Sequence, residues 1–270
     1  MRSPILPLLL ASTSAATVAT AQNTSLPGYT GYPTPIASTL PANTSLSFGQ
    51  HYAVLNLDLI TALVSPLAPT PAGSSFISNT ASWISAVHAQ SPPPLSIFTR
   101  IYFANARHPE VKPDSGFAAI SAALGTASDN ATQVYPAFEV DEGAGDVVLQ
   151  KTRYYAGAGN ALEEILRAQG VDTVVISGVR TSGVVLSTVY RLFDLDYDVY
   201  VGFPLVGFCV VCLLTNLFRY VISNNTIETA PDTPGINAAI LEGVIPKLPA
   251  QVISIEQAIE ALGNSGPAIY

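Results

Sequence analysis

The stretch VDTVVISGVRTSGVVLST, residues 171–188, decides the fold. Thr173 to Ser177 is a continuous β-branched run, too short for a helix and apolar toward both sides, which predicts a central strand of a parallel sheet. The run stops at Gly178. Arg180, Thr181, Ser182 and Gly183 then read as a polar turn, and Val184, Val185, Thr188 and Val189 open a segment with helical spacing. In open α/β sheets that junction, at the carboxyl end of a strand, is where ligands bind, although the same pattern also serves an ordinary strand-to-helix connection.

Outward from this centre the chain alternates strands and helices. His51 to Leu57 reads as a first strand with Asp58 at its carboxyl end, where a carboxylate is either a cap for the next turn or a site residue. Ser75 to Ala89 has the apolar spacing of an amphipathic helix, and Pro94 to Phe103 reads as a second strand with Arg100 inside it. Ser115 to Thr126 predicts a short helix and Asp146 to Lys151 a third strand ending in Lys151. A helix follows from Ala161 to Gln169, with Asn160 and Glu163 spaced as a capping box. After the central strand come a helix over Gly235 to Ile245, a last strand from Gln251 to Ile255, and a closing helix to Leu262 capped by Ser254 with Gln257. This order predicts a three-layer α/β/α domain over 49–262 on a mostly parallel, doubly wound, Rossmann-like sheet, with a tail at 263–270.

Composition narrows the function classes. Of 270 residues, 49% are apolar and only 11% charged, and acid exceeds base by eight charges. A sizeable core is within reach, and the absence of any Lys/Arg cluster excludes a phosphate-backbone partner, so no nucleic acid is expected. Residues 1–21 carry one Arg, a short apolar stretch from Ile5 to Ala11 and small residues ending in Ala19-Thr20-Ala21, which predicts a secretory signal cleaved before Gln22. Sequons at Asn23, Asn43, Asn130 and Asn224 fit a secreted glycoprotein. Residues 22–48 are rich in Pro, Gly, Ser and Thr without apolar period and read as an irregular arm.

One segment breaks the pattern. Val201 to Phe218 is uncharged, long enough to cross a bilayer, and holds both cysteines, Cys209 and Cys212. A transmembrane helix, a buried extra element and a stretch foreign to the folded protein all compete. Removing 200–219 joins Asp198-Val199 to Tyr220-Val221-Ile222-Ser223 and restores one strand. The codons for Val199, Tyr200 and Val201 can spell a GTACGT donor, those for Leu214 and Thr215 a CTAAC branch sequence, and Arg219 can begin with AG. The segment therefore reads as a retained intron of about 20 codons, and no membrane partner is expected unless 201–218 is a real span. With no second cysteine pair, zinc is not expected either.

Asp58, Lys151 and the turn before Val184 lie at three strand ends, which a parallel sheet gathers on one edge. With these pieces in view, AVLNLDLI, LQKTRYYAGAGNALEEILRAQGVDTVVISGVRTSGVVLST and VISNNTIET, the chain resembles the isochorismatase-like hydrolase superfamily from about His51 to Leu262. The resemblance implies a catalytic Asp at Asp58 and Lys at Lys151, with the superfamily's nucleophilic Cys falling on Val184 and a frequent Gln falling on Ile60. A valine cannot attack a carbonyl, so amidase chemistry through a thioester is not expected. True isochorismatases resemble this pattern in lacking the thiol and hydrolyse a vinyl ether by protonating carbon. The carried-over expectation is that Asp58 donates the proton, Lys151 orients it or binds a substrate carboxylate, and Arg100 or Arg180 clamps an anionic group of a small substrate, beside Thr181, Ser182 and Gly183.

The resemblance also implies a cis peptide around Val179 and Arg180, no cofactor, and a homo-oligomer. Asn105, Arg107 and His108 lack the spacing of the superfamily's zinc ligands, so no metal is expected, and the three histidines fit no Ser-His-Asp pattern. Two classes stay open: a hydrolase without a covalent thioester, or a non-catalytic relative that binds a small molecule.

Overall fold

The computed structural model describes residues 45–195, 218–227, 233–248 and 250–270, all within one compact unit, Pro35–Tyr270. Its strands are β1 (Tyr52–Leu57), β2 (Leu95–Ile101), β3 (Val147–Lys151), β4 (Thr173–Val179), β5 (Phe218–Ile227) and β6 (Gln251–Ile253). They form one six-stranded sheet in the order β3-β2-β1-β4-β5-β6, and every ladder between them is parallel. This order reverses direction between β1 and β4, the crevice where doubly wound sheets take ligands.

The helices are α1 (Thr61–Val64), α2 (Pro71–His88), α3 (Gly116–Ser121), α4 (Leu162–Ala168), α5 (Leu186–Asp194), α6 (Thr233–Ala238) and α7 (Ile255–Ser265). Period-two alternation sends β1 to both sides at once. Ala53, Leu55 and Leu57 join Leu162, Leu166, Val189 and Leu192 of α4 and α5 on one face. Tyr52 and Val54 join Trp83 and Val87 of α2 and Ala258, Ala261 and Leu262 of α7 on the other. The doubly wound, three-layer reading therefore holds.

Several boundaries move, each for a local reason. α2 begins at Pro71, four residues before the apolar period shows itself, because Thr70 accepts from the Gly73 N–H and Pro71 occupies the first turn. α3 ends at Ser121, short of Thr126. No capping box forms at α4: Asn160 gives its amide to the Gln150 and Ala156 carbonyls, and the Glu163 carboxylate is taken by the Tyr155 hydroxyl and Arg191. The box at α7 is present, with Ser254 and Gln257 in both roles. Residues 263–270 are no loose tail: α7 runs to Ser265, the Ile269 N–H donates to the Gln50 carbonyl at 2.7 Å, and the Tyr270 hydroxyl donates to the Tyr52 carbonyl at 2.6 Å.

The arm is described only from Ser45. There Leu46 and Phe48 are buried, Phe48 edge-on to Trp83, so this end of the arm is part of the core. Residues 1–21, Asn23, Asn43, Cys209, Cys212 and the segment 201–217 lie outside the described residues. Within β5, Phe218, Arg219, Tyr220 and Val221 pair with Thr173, Val174, Val175 and Ile176, so the strand includes the last two residues of the stretch 200–219.

The central stretch departs most from its reading. β4 does not stop at Gly178 but continues to Val179. Gly178 has φ of 154°, and a Cβ there would sit 2.4 Å from the Leu57 carbonyl oxygen, so only glycine lets β4 lie against β1 at this point. The ladder to β5 shifts register between Ile176 and Gly178. The residues read as a polar turn are already helical: Thr181–Val185 is one wide π turn running straight into α5.

Candidate active site

Asp58 follows the last residue of β1 with φ of 54°, a left-handed backbone uncommon for a residue with a side chain and a pointer to function when observed. Its N–H donates to the Thr99 hydroxyl at 3.0 Å, and that hydroxyl donates back to Asp58 Oδ1 at 2.7 Å. Thr99 sits in β2, where the parallel register sets it opposite Leu57.

Lys151, the last residue of β3, brings its Nζ to 2.7 Å from Asp58 Oδ2. The sheet thus unites an acid and an amine 93 residues apart in sequence, and both side chains are buried at 2% and 0% exposure. Nζ also donates to the Arg153 and Tyr154 carbonyls at 2.9 and 2.8 Å. Those two carbonyls need two N–H bonds, so the remaining proton of the Asp58–Lys151 contact can reside on Nζ or on Oδ2 without disturbing the outer bonds. Burial is the largest influence on each group: it pushes the Asp58 carboxyl above the usual range and the Lys151 ammonium below its own, each opposed by the partner's charge. Geometry and burial therefore agree on one shared proton.

Asp58 borders a cavity of ≈ 100 Å³. Val179, Arg180 and Val184 line it from the end of β4 and the π turn, Leu63 from α1, and Phe117 and Ile120 from α3. The Tyr154 ring, a further part of the wall, stands edge-on to Phe117. Arg153 holds this corner by lying over the Phe117 ring at 5.0 Å and donating to the Glu110 carbonyl at 2.7 Å.

The remaining expected residues divide. The Val179–Arg180 peptide is cis, as the resemblance implies, and Arg180 borders the cavity. Val184, on which the resemblance sets the superfamily's thiol, is 1% exposed and borders the cavity. Arg100 does not border the cavity: its guanidinium donates to the Thr132 and Ala127 carbonyls at 2.7 and 2.8 Å and lies over Tyr102. Strand alternation explains this, since Thr99 turns toward Asp58 and its neighbour must leave from the opposite face.

Thr181 is also directed elsewhere, its buried hydroxyl donating to Asn237 Oδ1 at 2.6 Å. Ser182 is exposed. Gly183 packs under Tyr154, where a Cβ would come within 3.0 Å of the ring. The Gly183 and Val185 N–H groups both turn inward to the Arg180 carbonyl, so they present no donors to a ligand. Ile60 is fully buried and bridges to Val134. His108 stacks on Phe103 at 4.2 Å between centroids, and among the described residues no group of three or more His, Cys, Asp or Glu could hold a metal ion. No helix among them is long and apolar enough to cross a membrane.

Sequence reasoning missed Thr99, Tyr154 and the α3 wall. A threonine one place from Arg100 in a strand beside the Asp strand was the only available signal for the first; the other two are brought in by loop packing.

The family model of the isochorismatase domain matches residues 52–202. Among solved structures, an isochorismatase family protein from Burkholderia thailandensis is 20% identical with a TM-score of 0.60, over 82% of this chain and 100% of that one. A cysteine hydrolase from Pseudomonas syringae is 14% identical with a TM-score of 0.63, over 80% and 93%. N-carbamoylsarcosine amidase from Thermoplasma acidophilum is 18% identical with a TM-score of 0.54, over 76% and 96%. No curated protein matches the chain.

Proposed function

The chain belongs to the isochorismatase family, and from that premise we propose that it is a hydrolase of a small molecule in which Asp58 acts as general acid without a covalent thioester. The observation that carries this is the Asp58–Lys151 contact at 2.7 Å, buried on both sides and placed on the wall of a cavity. Burial raises the Asp58 carboxyl above its usual range, the direction that favours the protonated form a general acid needs.

In the proposed step the Asp58 proton passes to the terminal carbon of a vinyl ether. The oxygen-stabilised cation that results takes up water, and the hemiketal so formed breaks its C–O bond to give a ketone and an alcohol. The proton released by the water returns to the Asp58 carboxylate, which borders the cavity, and restores the acid to its starting state. Thr99 donates to Oδ1 and thereby leaves Oδ2, the oxygen facing Lys151, as the one that carries the proton. Lys151 serves as orienting and proton-sharing partner only. Its nitrogen is fully engaged by Asp58, Arg153 and Tyr154, so the role of binding a substrate carboxylate falls to Arg180.

Val184 supports a second reading, a non-catalytic binding protein of the same fold, because the thiol position on the cavity wall is filled by an inert side chain. One assay separates the two. Turnover of isochorismate and of a panel of small enol ethers and amides is measured for the purified protein and for Asp58→Ala. A loss of about 10²–10⁴-fold in the variant is expected for a general acid. Equal rates in the two proteins remove Asp58 from the reaction, and ligand binding without turnover of any panel member favours the binding protein.

A further inference from the structure

The walls of the cavity are unequal in their chemistry. Apolar side chains reach it from separate elements: Leu63 from α1, Ile101 from the end of β2, Phe117 from α3, Leu124 from the loop after it, Val179 from the end of β4 and Val184 from the π turn. Among the described residues its charged lining groups are Asp58 and Arg180. Lys151 adds no second cation, because Asp58, Arg153 and Tyr154 occupy its nitrogen completely. A ligand with two carboxylates would therefore bury one of them beside Asp58 or against hydrocarbon, and an unpaired buried charge is strongly disfavoured.

Size sets a second limit. An apolar cavity of about 150 Å³ takes a benzene molecule, and this one measures ≈ 100 Å³, with Ile120, 53% exposed, at its rim. Resting on the hydrolase reading, we propose that the site takes a small monoanion: an apolar body of about four or five carbon atoms between Phe117 and Val184, carrying one carboxylate that pairs with Arg180. The body supplies affinity and the single charge supplies orientation, turning the reacting carbon toward Asp58.

Equilibrium binding tests this on the full chain by titration calorimetry at pH 7 with propanoate, butanoate, pentanoate, cyclopentanecarboxylate, pentanamide and methylsuccinate. Each methylene from propanoate to pentanoate should tighten binding about fourfold, and cyclopentanecarboxylate should bind at least as well as pentanoate. Pentanamide should be at least tenfold weaker, and methylsuccinate should give no measurable heat. Arg180→Gln should lower the affinity for pentanoate to that for pentanamide and leave the amide unchanged. If circular dichroism shows that variant unfolded, the acid-to-amide ratio in the unaltered protein decides.

Binding of methylsuccinate as tight as that of pentanoate, equal affinity for acid and amide, no dependence on chain length, or no binding at all would each overturn the proposal. The carboxylates have no hydrolysable bond and pentanamide is checked for released ammonia, so the outcome is independent of turnover. Vinyl-ether hydrolysis with the wrong binding order overturns the substrate class alone, and the right order without hydrolysis of any substrate overturns the hydrolase alone.

Discussion

Changing one member of the Asp58–Lys151 pair should convert a stability flat in pH into one with a defined slope. In the folded protein the pair shares one proton, and in the unfolded chain at neutral pH one proton also remains, on the lysine. Bound protons are equal, so the pair contributes no slope between the ordinary values of 3.8 and 10.5. Asp58→Asn keeps the shape and deletes the charge. Burial, already the largest influence on Lys151, then drives it neutral when folded, while the unfolded lysine stays protonated up to 10.5. The unfolded state binds one proton more, and stability should rise with pH by about 1.4 kcal/mol per unit.

Lys151→Met does the reverse. Asp58 stays protonated when folded, the unfolded carboxyl ionises at 3.8, and stability should fall by about 1.4 kcal/mol per pH unit above that value. Between pH 6 and 8 the two variants should therefore move about 2.8 kcal/mol in opposite directions, from a baseline about 3–5 kcal/mol below the parent protein. Urea unfolding at pH 6, 7 and 8 measures this, and the double variant should be flat again. Single variants whose profiles run parallel to the parent's would refute a shared proton in a buried pair.

Other consequences are equally concrete. Gly178→Ala should destabilise by about 3 kcal/mol or more in urea unfolding, because its Cβ meets the Leu57 carbonyl at 2.4 Å; a loss under 0.5 kcal/mol would show that β4 can shift away from β1. Thr99→Val should cost about 1–3 kcal/mol by leaving the Asp58 N–H and Oδ1 without partners, and Thr99→Ser should recover most of it; equal loss in both variants would assign the effect to packing. Sequencing the transcript should yield a message lacking codons 200–219; a mature message that still encodes Cys209 and Cys212 would end the retained-intron reading. Export with cleavage before Gln22 predicts that secreted protein begins at Gln22 and shifts in mass on removal of a glycan from Asn130, which is exposed; a mature chain beginning at Met1 would refute it.

The sequence by itself determined the sheet and its direction. An uninterrupted run such as Thr173–Ser177 suits a strand buried on both faces, and its alternation with helices along the chain selects a parallel sheet with little choice of connection. It also put Asp58 and Lys151 at strand ends, because a charged residue closing an apolar strand has to emerge at the sheet's edge. Only the tertiary structure decided what those ends meet. Thr99 rather than Arg100 faces Asp58 because register and alternation, not residue type, choose the face. The nitrogen of Lys151 is filled by carbonyls from its own following loop, and Gly178 carries β4 past its expected end because a missing Cβ lets two backbones touch. Local pattern carries propensity and periodicity; which side chain reaches across to which is a property of strands packed 4.8 Å or so apart, and no single strand contains it.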